Sequence, residues 1–220
     1  MNQSVFGKQN DFETLCESIA NDLSQKNYAM VDNFLTVTQV ESILSQIQRL
    51  LEEDEFKQAG IGASHQFHVN KEIRKDKVFW IDPNKAMGAT QALVDRLRQL
   101  MRYINRTCFL GLKDFEMHYA VYPKGAFYKR HLDQFKASDH RRLTFICYLN
   151  KDWALSDGGL LRLYLKNPDS QEAPFDIAPL AGRLVCFRSD LLEHEVLECQ
   201  RQRYSVTGWM LDQLNELKFL

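Results

Sequence analysis

Apolar residues in the first half of the chain recur at helical spacing. Phe12, Leu15, Cys16, Ile19, Ala20 and Leu23 form one stripe, so the spacing predicts a helix over 12–23. A stronger amphipathic helix is predicted over 38–53, where Val40, Ile43, Leu44, Ile47, Leu50 and Leu51 share a face and Thr38 is the candidate cap. A third, over 86–105, turns Leu93, Leu97, Leu100 and Ile104 toward a core. Tyr28–Val31 and Val78–Ile81 read as short strands. Between them, residues 57–75 have no periodicity and contain Gly60, Gly62, His65 and His68, so they read as a loop or hairpin.

From Phe115 the pattern changes to short β-type runs, near 115–122, 127–132, 142–149, 159–165, 174–178, 183–188, 194–198 and 203–211. Pro123-Lys124-Gly125, Asp157-Gly158-Gly159, Asn167-Pro168-Asp169 and Ala181-Gly182 break them. Evenly spaced short strands predict an α+β fold: a jelly roll (double-stranded β-helix) of about eight core strands, with the N-terminal helices packed on one sheet. Residues 213–219 read as a short helix or tail.

Composition narrows the class. With 220 residues, 45% of them hydrophobic, and no Gly/Ser/Pro-rich linker, one domain over 1–220 is expected. It divides into helical support over 1–110, a jelly-roll core over 111–211 and a C-terminal helix or tail over 212–220. Twenty-eight basic against 29 acidic residues give a net charge of −1, which argues against nucleic acid as a partner. No apolar run approaches the ~20 residues needed to cross a bilayer. Five cysteines, an odd number without a C-x-x-C pair, and no signal-peptide pattern point to a reducing cytoplasm.

The chemistry is carried by His131-Leu132-Asp133 and, sixty-one residues past Asp133, His194. Residues i and i+2 of an extended segment face the same way, so His131 and Asp133 can address one ion. Two imidazoles and one carboxylate are the facial set of non-haem Fe(II) oxygenases, which leaves positions open for substrate and O₂. Arg203 follows. Alternation places it with Ser205, Thr207 and Trp209 on one strand face, a polar pocket wall. Arg grips a carboxylate with paired hydrogen bonds. A chelating keto acid with a distal carboxylate, 2-oxoglutarate, fits both ends. Asp133 favours hydroxylation over halogenation, which would need that position free for halide.

Several stretches resemble one family, the Fe(II)/2-oxoglutarate-dependent prolyl hydroxylases, in particular the hypoxia-inducible-factor prolyl hydroxylases and their bacterial relatives. They are Ile73-Arg74-Lys75-Asp76-Lys77-Val78-Phe79-Trp80-Ile81, Tyr122-Pro123 with Tyr128 to Asp133, and Tyr148-Leu149-Asn150-Lys151-Asp152-Trp153, then Gly158 to Arg162, His194-Glu195-Val196, and Arg203 to Trp209. The resemblance implies that His131, Asp133 and His194 hold iron and are the catalytic centre. It implies that Arg203 pairs with the distal carboxylate of 2-oxoglutarate and Tyr148 hydrogen-bonds it. Thr207, Trp209 and Tyr122 would sit beside that pocket, with Ile146 and Leu161 as apolar wall. Ascorbate would serve as reductant. Residues 57–76 would be a lid with Arg74 and Asp76 at its base as substrate contacts, and Arg141 is a third candidate contact. The substrate would be a prolyl residue of a protein, a translation component being one candidate, and the enzyme a monomer. Two departures bear on substrate preference: His118 stands where close animal relatives carry an apolar residue, and the Lys124–Phe127 turn is one residue shorter.

Three other readings stay open. A nucleic-acid demethylase of the same class would show a second Arg where Trp209 stands, and neutral charge opposes it. A jelly-roll binding module without turnover would either have lost its chemistry or hold Zn²⁺ structurally, and a structural zinc site is normally closed by four protein ligands, with no fourth candidate nearby in sequence. A hydroxylase of free proline or another small molecule would have little use for a long lid. His118 shares parity with Tyr122, so it faces either the pocket or the core. His65 and His68 read as loop residues and His140 as a turn residue.

Overall fold

The computed structural model describes residues 3–60, 70, 72–134, 140–166 and 171–214, with side chains from residue 11 onward. The elements run α1 (Gln3–Lys26), β1 (Tyr28–Val31), α2 (Val37–Glu52), β2 (Lys57–Gln58), β3 (Lys77–Ile81) and α3 (Gly88–Cys108). Eight strands follow: β4 (Asp114–Tyr122), β5 (Tyr128–His131), β6 (Arg141–Tyr148), β7 (Leu161–Lys166), β8 (Glu172–Ile177), β9 (Leu184–Arg188), β10 (His194–Val196) and β11 (Arg203–Leu211). His65, His68, the Asn167-Pro168-Asp169 turn, most of the expected lid, and the tail from 215 lie outside the described residues.

The strands form two antiparallel sheets. The larger has the order β1-β9-β6-β11-β4-β3-β2 and the smaller β5-β10-β7-β8. Alternation along the larger sheet separates two environments. Phe115, Met117, Tyr119 and Val121 of β4, Leu143, Phe145 and Cys147 of β6, and Val206 and Met210 of β11 join Ile19, Ile43, Ile47, Leu93, Leu97 and Leu100 of the helices in one buried cluster. The opposite parity faces the smaller sheet, where Ile146, Tyr148, Val185 and Phe187 meet Leu161, Leu163 and Ile177. The helices therefore cover one face of the larger sheet, as predicted, and leave the other for a site. Pro174 lies in β8, an edge strand, where a missing N–H costs no ladder bond.

One cap differs from expectation. Helix α2 starts at Val37 with Thr36 as its cap, not Thr38: Thr36 Oγ1 accepts from Gln39 N at 3.2 Å and Gln39 Oε1 accepts from Thr36 N at 2.9 Å. Thr38 has an equivalent partner in Glu41, so the reciprocal pattern alone does not choose. The residue before the cap decides. Capping at Thr36 buries Leu35 in the same cluster as Val40, whereas capping at Thr38 would give that place to Val37, which is exposed.

Candidate active site

His131 and His194 meet because β5 and β10 are antiparallel neighbours and the two residues are register partners. Asp133 follows β5 and turns into the same space. Its Oδ1 lies 3.5 Å from His131 Nε2 and its Oδ2 3.4 Å from His194 Nε2. One donor atom from each residue falls within 4.8 Å of the others, so the three can close on a single ion. No ring of sulfur ligands competes for it: among the described residues these three are the one cluster of this kind.

Backbone carbonyls set both imidazoles. His131 Nδ1 lies 2.7 Å from the Lys129 carbonyl and His194 Nδ1 3.2 Å from the Leu192 carbonyl. Each Nδ1 thus serves as the donor, and each Nε2 presents its lone pair toward Asp133, the arrangement a metal ligand needs. Burial pushes the His194 pKa down to about 4 against the pull of Asp133, so the ring is neutral at pH 7. For Asp133 burial works against ionisation, but His194, His131 and Arg141 outweigh it and hold the carboxyl below its usual range. Thr144 Oγ1 donates to Asp133 Oδ2 at 2.7 Å, which leaves it to accept from Ser189 Oγ at 2.9 Å. Sequence reasoning passed over Thr144 and Ser189. The parity of Thr144 with Ile146 and Tyr148 on β6 was the available signal.

Arg203 lines the same cavity as the three candidate ligands and is more fully buried than any of them. It is 1% exposed, and among the described residues no carboxylate pairs with it. Its guanidinium carbon lies 4.9 Å from the ring centroids of both Tyr122 and Tyr148. Arg203 Nε and Tyr148 Oη are buried without hydrogen-bond partners among the described residues. Burial raises the pKa of both phenols, against the opposing effect of Arg203, so they remain protonated donors. A buried cation and a phenol with unmet hydrogen-bonding capacity fit an anionic ligand with carboxylate geometry. Gly159 keeps this region tight. At φ +62° a Cβ there would meet Cys199 Sγ at 2.8 Å and Arg203 Cδ at 3.1 Å, so the Gly158-Gly159 pair lets the loop close on Arg203.

The cavity between the sheets is walled by Thr207, Trp209, Tyr122, Ile146 and Leu161, all five at positions the resemblance named. His118 also lines it, 3% exposed, between Trp80 (ring centroids 5.0 Å) and Trp209 (5.4 Å). Its Nδ1 has no hydrogen-bond partner among the described residues. Arg74 reaches the cavity; Asp76 does not. Asp76 is wholly buried and both its oxygens accept from Arg74, at 2.8 and 2.6 Å, so any effect it has on a ligand passes through that Arg. Arg141 is paired with Glu116 (2.6 Å) and lies 3.6 Å above the Trp209 ring, behind the cavity wall. His140 is tied to Asp212 at 3.1 Å.

Residues 117–211 match the family model of the 2OG-Fe(II) oxygenase superfamily. A Pseudomonas putida prolyl-4-hydroxylase structure is 37% identical, with TM-score 0.80, over 90% of this chain and 100% of that one. A Trichoplax adhaerens prolyl hydroxylase, solved with a hypoxia-inducible-factor oxygen degradation domain peptide, is 28% identical with TM-score 0.82, over 93% of this chain and 92% of that one. A Caenorhabditis elegans hypoxia-inducible factor prolyl hydroxylase is 32% identical over 94% of this chain, which spans 29% of that relative's length.

Proposed function

This chain belongs to the 2OG-Fe(II) oxygenase superfamily, among its prolyl hydroxylases, and we propose that it hydroxylates a prolyl residue in a protein, consuming 2-oxoglutarate and O₂ and releasing succinate and CO₂. The observation that carries the proposal is the pairing of two half-sites. Three side chains able to hold a metal converge in the cavity, and the same cavity is lined by a buried arginine that has no carboxylate partner among the described residues. His131, Asp133 and His194 would hold Fe(II), and Arg203 and Tyr148 the distal carboxylate of 2-oxoglutarate. When bound, the iron supplies oxidative decarboxylation of the keto acid and oxidation of an unactivated C–H bond.

The protein's own part is placement. Lys129 and Leu192 carbonyls fix the imidazole tautomers, and Thr144 orients the Asp133 carboxylate. Arg203 and Tyr148 select a ligand by charge and length, with Thr207, Trp209 and Tyr122 beside it. Tyr148 and Tyr122 remain neutral, so they bind without adding negative charge next to an anion. The Trp209 indole and the apolar side chains of Ile146, Leu161 and Val196 around the cavity exclude water from the reacting C–H bond.

Finer assignments belong to the same reading. We take β4 to β11 as the eight core strands of a double-stranded β-helix, supported by their even division between the two sheets. Residues 1–220 act as one catalytic unit, 1–110 supplying helical support and 57–76 a substrate-gripping lid; Arg74 bears on substrate directly, Asp76 through Arg74 and Arg141 through Trp209. Ascorbate is the reductant, a translation component the candidate target, the cytoplasm the location and the monomer the active form. Five free thiols suit a reducing compartment. No helix among the described residues is long and apolar enough to cross a membrane.

The test is to incubate the enzyme with Fe(II), ascorbate, 2-oxoglutarate and cytosolic proteins, then search by mass spectrometry for one added oxygen on proline. His131→Ala and Asp133→Ala should each abolish both the product and succinate formation while the circular dichroism spectrum stays native. Wild-type succinate production by both variants would defeat the metal assignment.

A further inference from the structure

Arg74, Tyr128 and His131 form a stack three groups deep. The Tyr128 ring lies nearly parallel to the His131 imidazole, with centroids 3.6 Å apart and planes 16° apart. The Arg74 guanidinium carbon is 4.2 Å from the centroid of the same phenol ring. With one ring face filled by imidazole, the guanidinium takes the other. Arg74 is itself immobilised: Nε and Nη2 donate to the two oxygens of buried Asp76, and Nη1 donates to the Gly60 carbonyl at 3.2 Å.

The backbone holds these groups in line. Arg74 and Tyr128 are antiparallel bridge partners. Lys75 N donates to the Phe127 carbonyl at 3.1 Å, and Lys129 N donates to the Ile73 carbonyl at 2.9 Å. The Lys129 carbonyl then accepts from His131 Nδ1. His131 is thus fixed on its edge by Lys129 and on its face by Tyr128. His194 has other support, from the Leu192 carbonyl and the edge-on ring of Phe187 at 4.6 Å. It is also the better covered of the two, its side chain 5% exposed against 15% for His131. The more exposed imidazole is the one that lies against the stack.

We propose that Tyr128 is a positioning residue for metal binding and that Arg74 and Asp76 act on the metal through it. The buried ion pair sets the guanidinium plane, the guanidinium sets the phenol plane, and the phenol sets the rotation of the His131 ring about its side-chain bonds. A freely rotating imidazole would have to be ordered when the ion binds, whereas a stacked one is already aimed. The Ile-Arg-x-Asp-Lys stretch therefore has a role in the metal centre as well as at the lid base. This inference rests on the reading of His131 as a metal ligand.

The experiment needs no turnover. Metal-free protein is titrated with Co(II), and affinity and the visible absorption bands are recorded for each variant. His131→Ala should lose the bands; if it binds Co(II) as the wild type does, the ligand reading fails and the proposal with it. Tyr128→Leu should bind Co(II) about ten- to a hundredfold more weakly, the range seen when support around a metal ligand is removed. Tyr128→Phe keeps the ring and should bind as the wild type does. Arg74→Met should weaken binding in the same direction by a smaller factor. Wild-type affinity and spectrum in Tyr128→Leu would overturn the proposal, as would Tyr128→Phe binding as weakly as Tyr128→Leu. Should Tyr128→Leu fail to fold, unchanged Co(II) affinity in Arg74→Met overturns it instead.

Discussion

Replacing Arg203 should move the stability of the free and the ligand-bound protein in opposite directions. Arg203 is 1% exposed and has no carboxylate partner among the described residues, so the ligand-free fold bears an unpaired buried cation. Substituting Met removes that charge and keeps an apolar stem of similar length, which should leave the metal-free, ligand-free melting temperature unchanged or higher. Bound 2-oxoglutarate reverses the sign. At a concentration a hundred times its Kd, a ligand stabilises a protein by about 2.7 kcal/mol. For a chain of this size that corresponds to roughly 5–10 °C in melting temperature. Removing one partner of a buried charge pair costs about 3–5 kcal/mol, which weakens binding by two to nearly four powers of ten. At the same ligand concentration the stabilisation then falls below about 0.3 kcal/mol. Tyr148→Phe removes one hydrogen bond to a charged group, about 1.5–3 kcal/mol, and leaves roughly 0.3–1.3 kcal/mol of stabilisation. Thermal melts with Mn(II) in place of Fe(II), with and without 2-oxoglutarate, read all of these values. If Arg203→Met keeps more than half of the ligand-induced shift, or Tyr148→Phe loses more of it than Arg203→Met, the assignment of the two residues is wrong.

Deleting residues 60–68 should largely spare 2-oxoglutarate decarboxylation in the absence of a protein substrate, because His131, Asp133, His194, Arg203 and Tyr148 all lie outside the deleted stretch and Arg74 keeps both its bonds to Asp76 when the Gly60 carbonyl is lost, and eliminate oxygen addition to protein proline. Succinate release and product mass measured side by side decide it: normal hydroxylation by the deleted enzyme would end the lid assignment. His118 makes a separate prediction about acid. Burial, helped by Arg74 and Arg141, lowers its pKa from 6.5 to about 3, so the unfolded chain takes up its proton first; the stability this group contributes is fully present above pH 6.5 and is lost as pH falls toward 3. Between pH 7 and pH 5 His118→Leu should therefore lose about 2 kcal/mol less stability than the wild type in urea unfolding of the metal-free protein, and parallel pH profiles for the two proteins would refute it.

What could be read from the chain divides along the range of the interactions involved. Strand alternation is local, so the shared face of Arg203, Thr207 and Trp209 and the run of short strands described between Asp114 and Leu211 are visible in the residues themselves. The ligand set was legible for a related reason: His131 and Asp133 carry their spacing in sequence, and Arg203 narrows the choice of partner for His194. The cap of α2 was misplaced because Thr36 and Thr38 both have a glutamine or glutamate three residues on, and only the burial of Leu35 against Val40 separates them. Asp76 marks a different limit. The family resemblance implies that it and Arg74 are a pair of substrate contacts, yet its carboxylate is enclosed, and enclosure depends on how 57–59 and β3 close over it. Tyr128 was the hardest to read. A tyrosine three residues before a histidine has no fixed relation to it in an extended strand, where parity alone would set them on opposite faces. The pairing of β10 with β5 shifts register between His194 and Val196, opposing Tyr128 to Val196 and His131 to His194. That irregularity accompanies the parallel stacking of the two rings, and a period-two pattern cannot announce where it will fall.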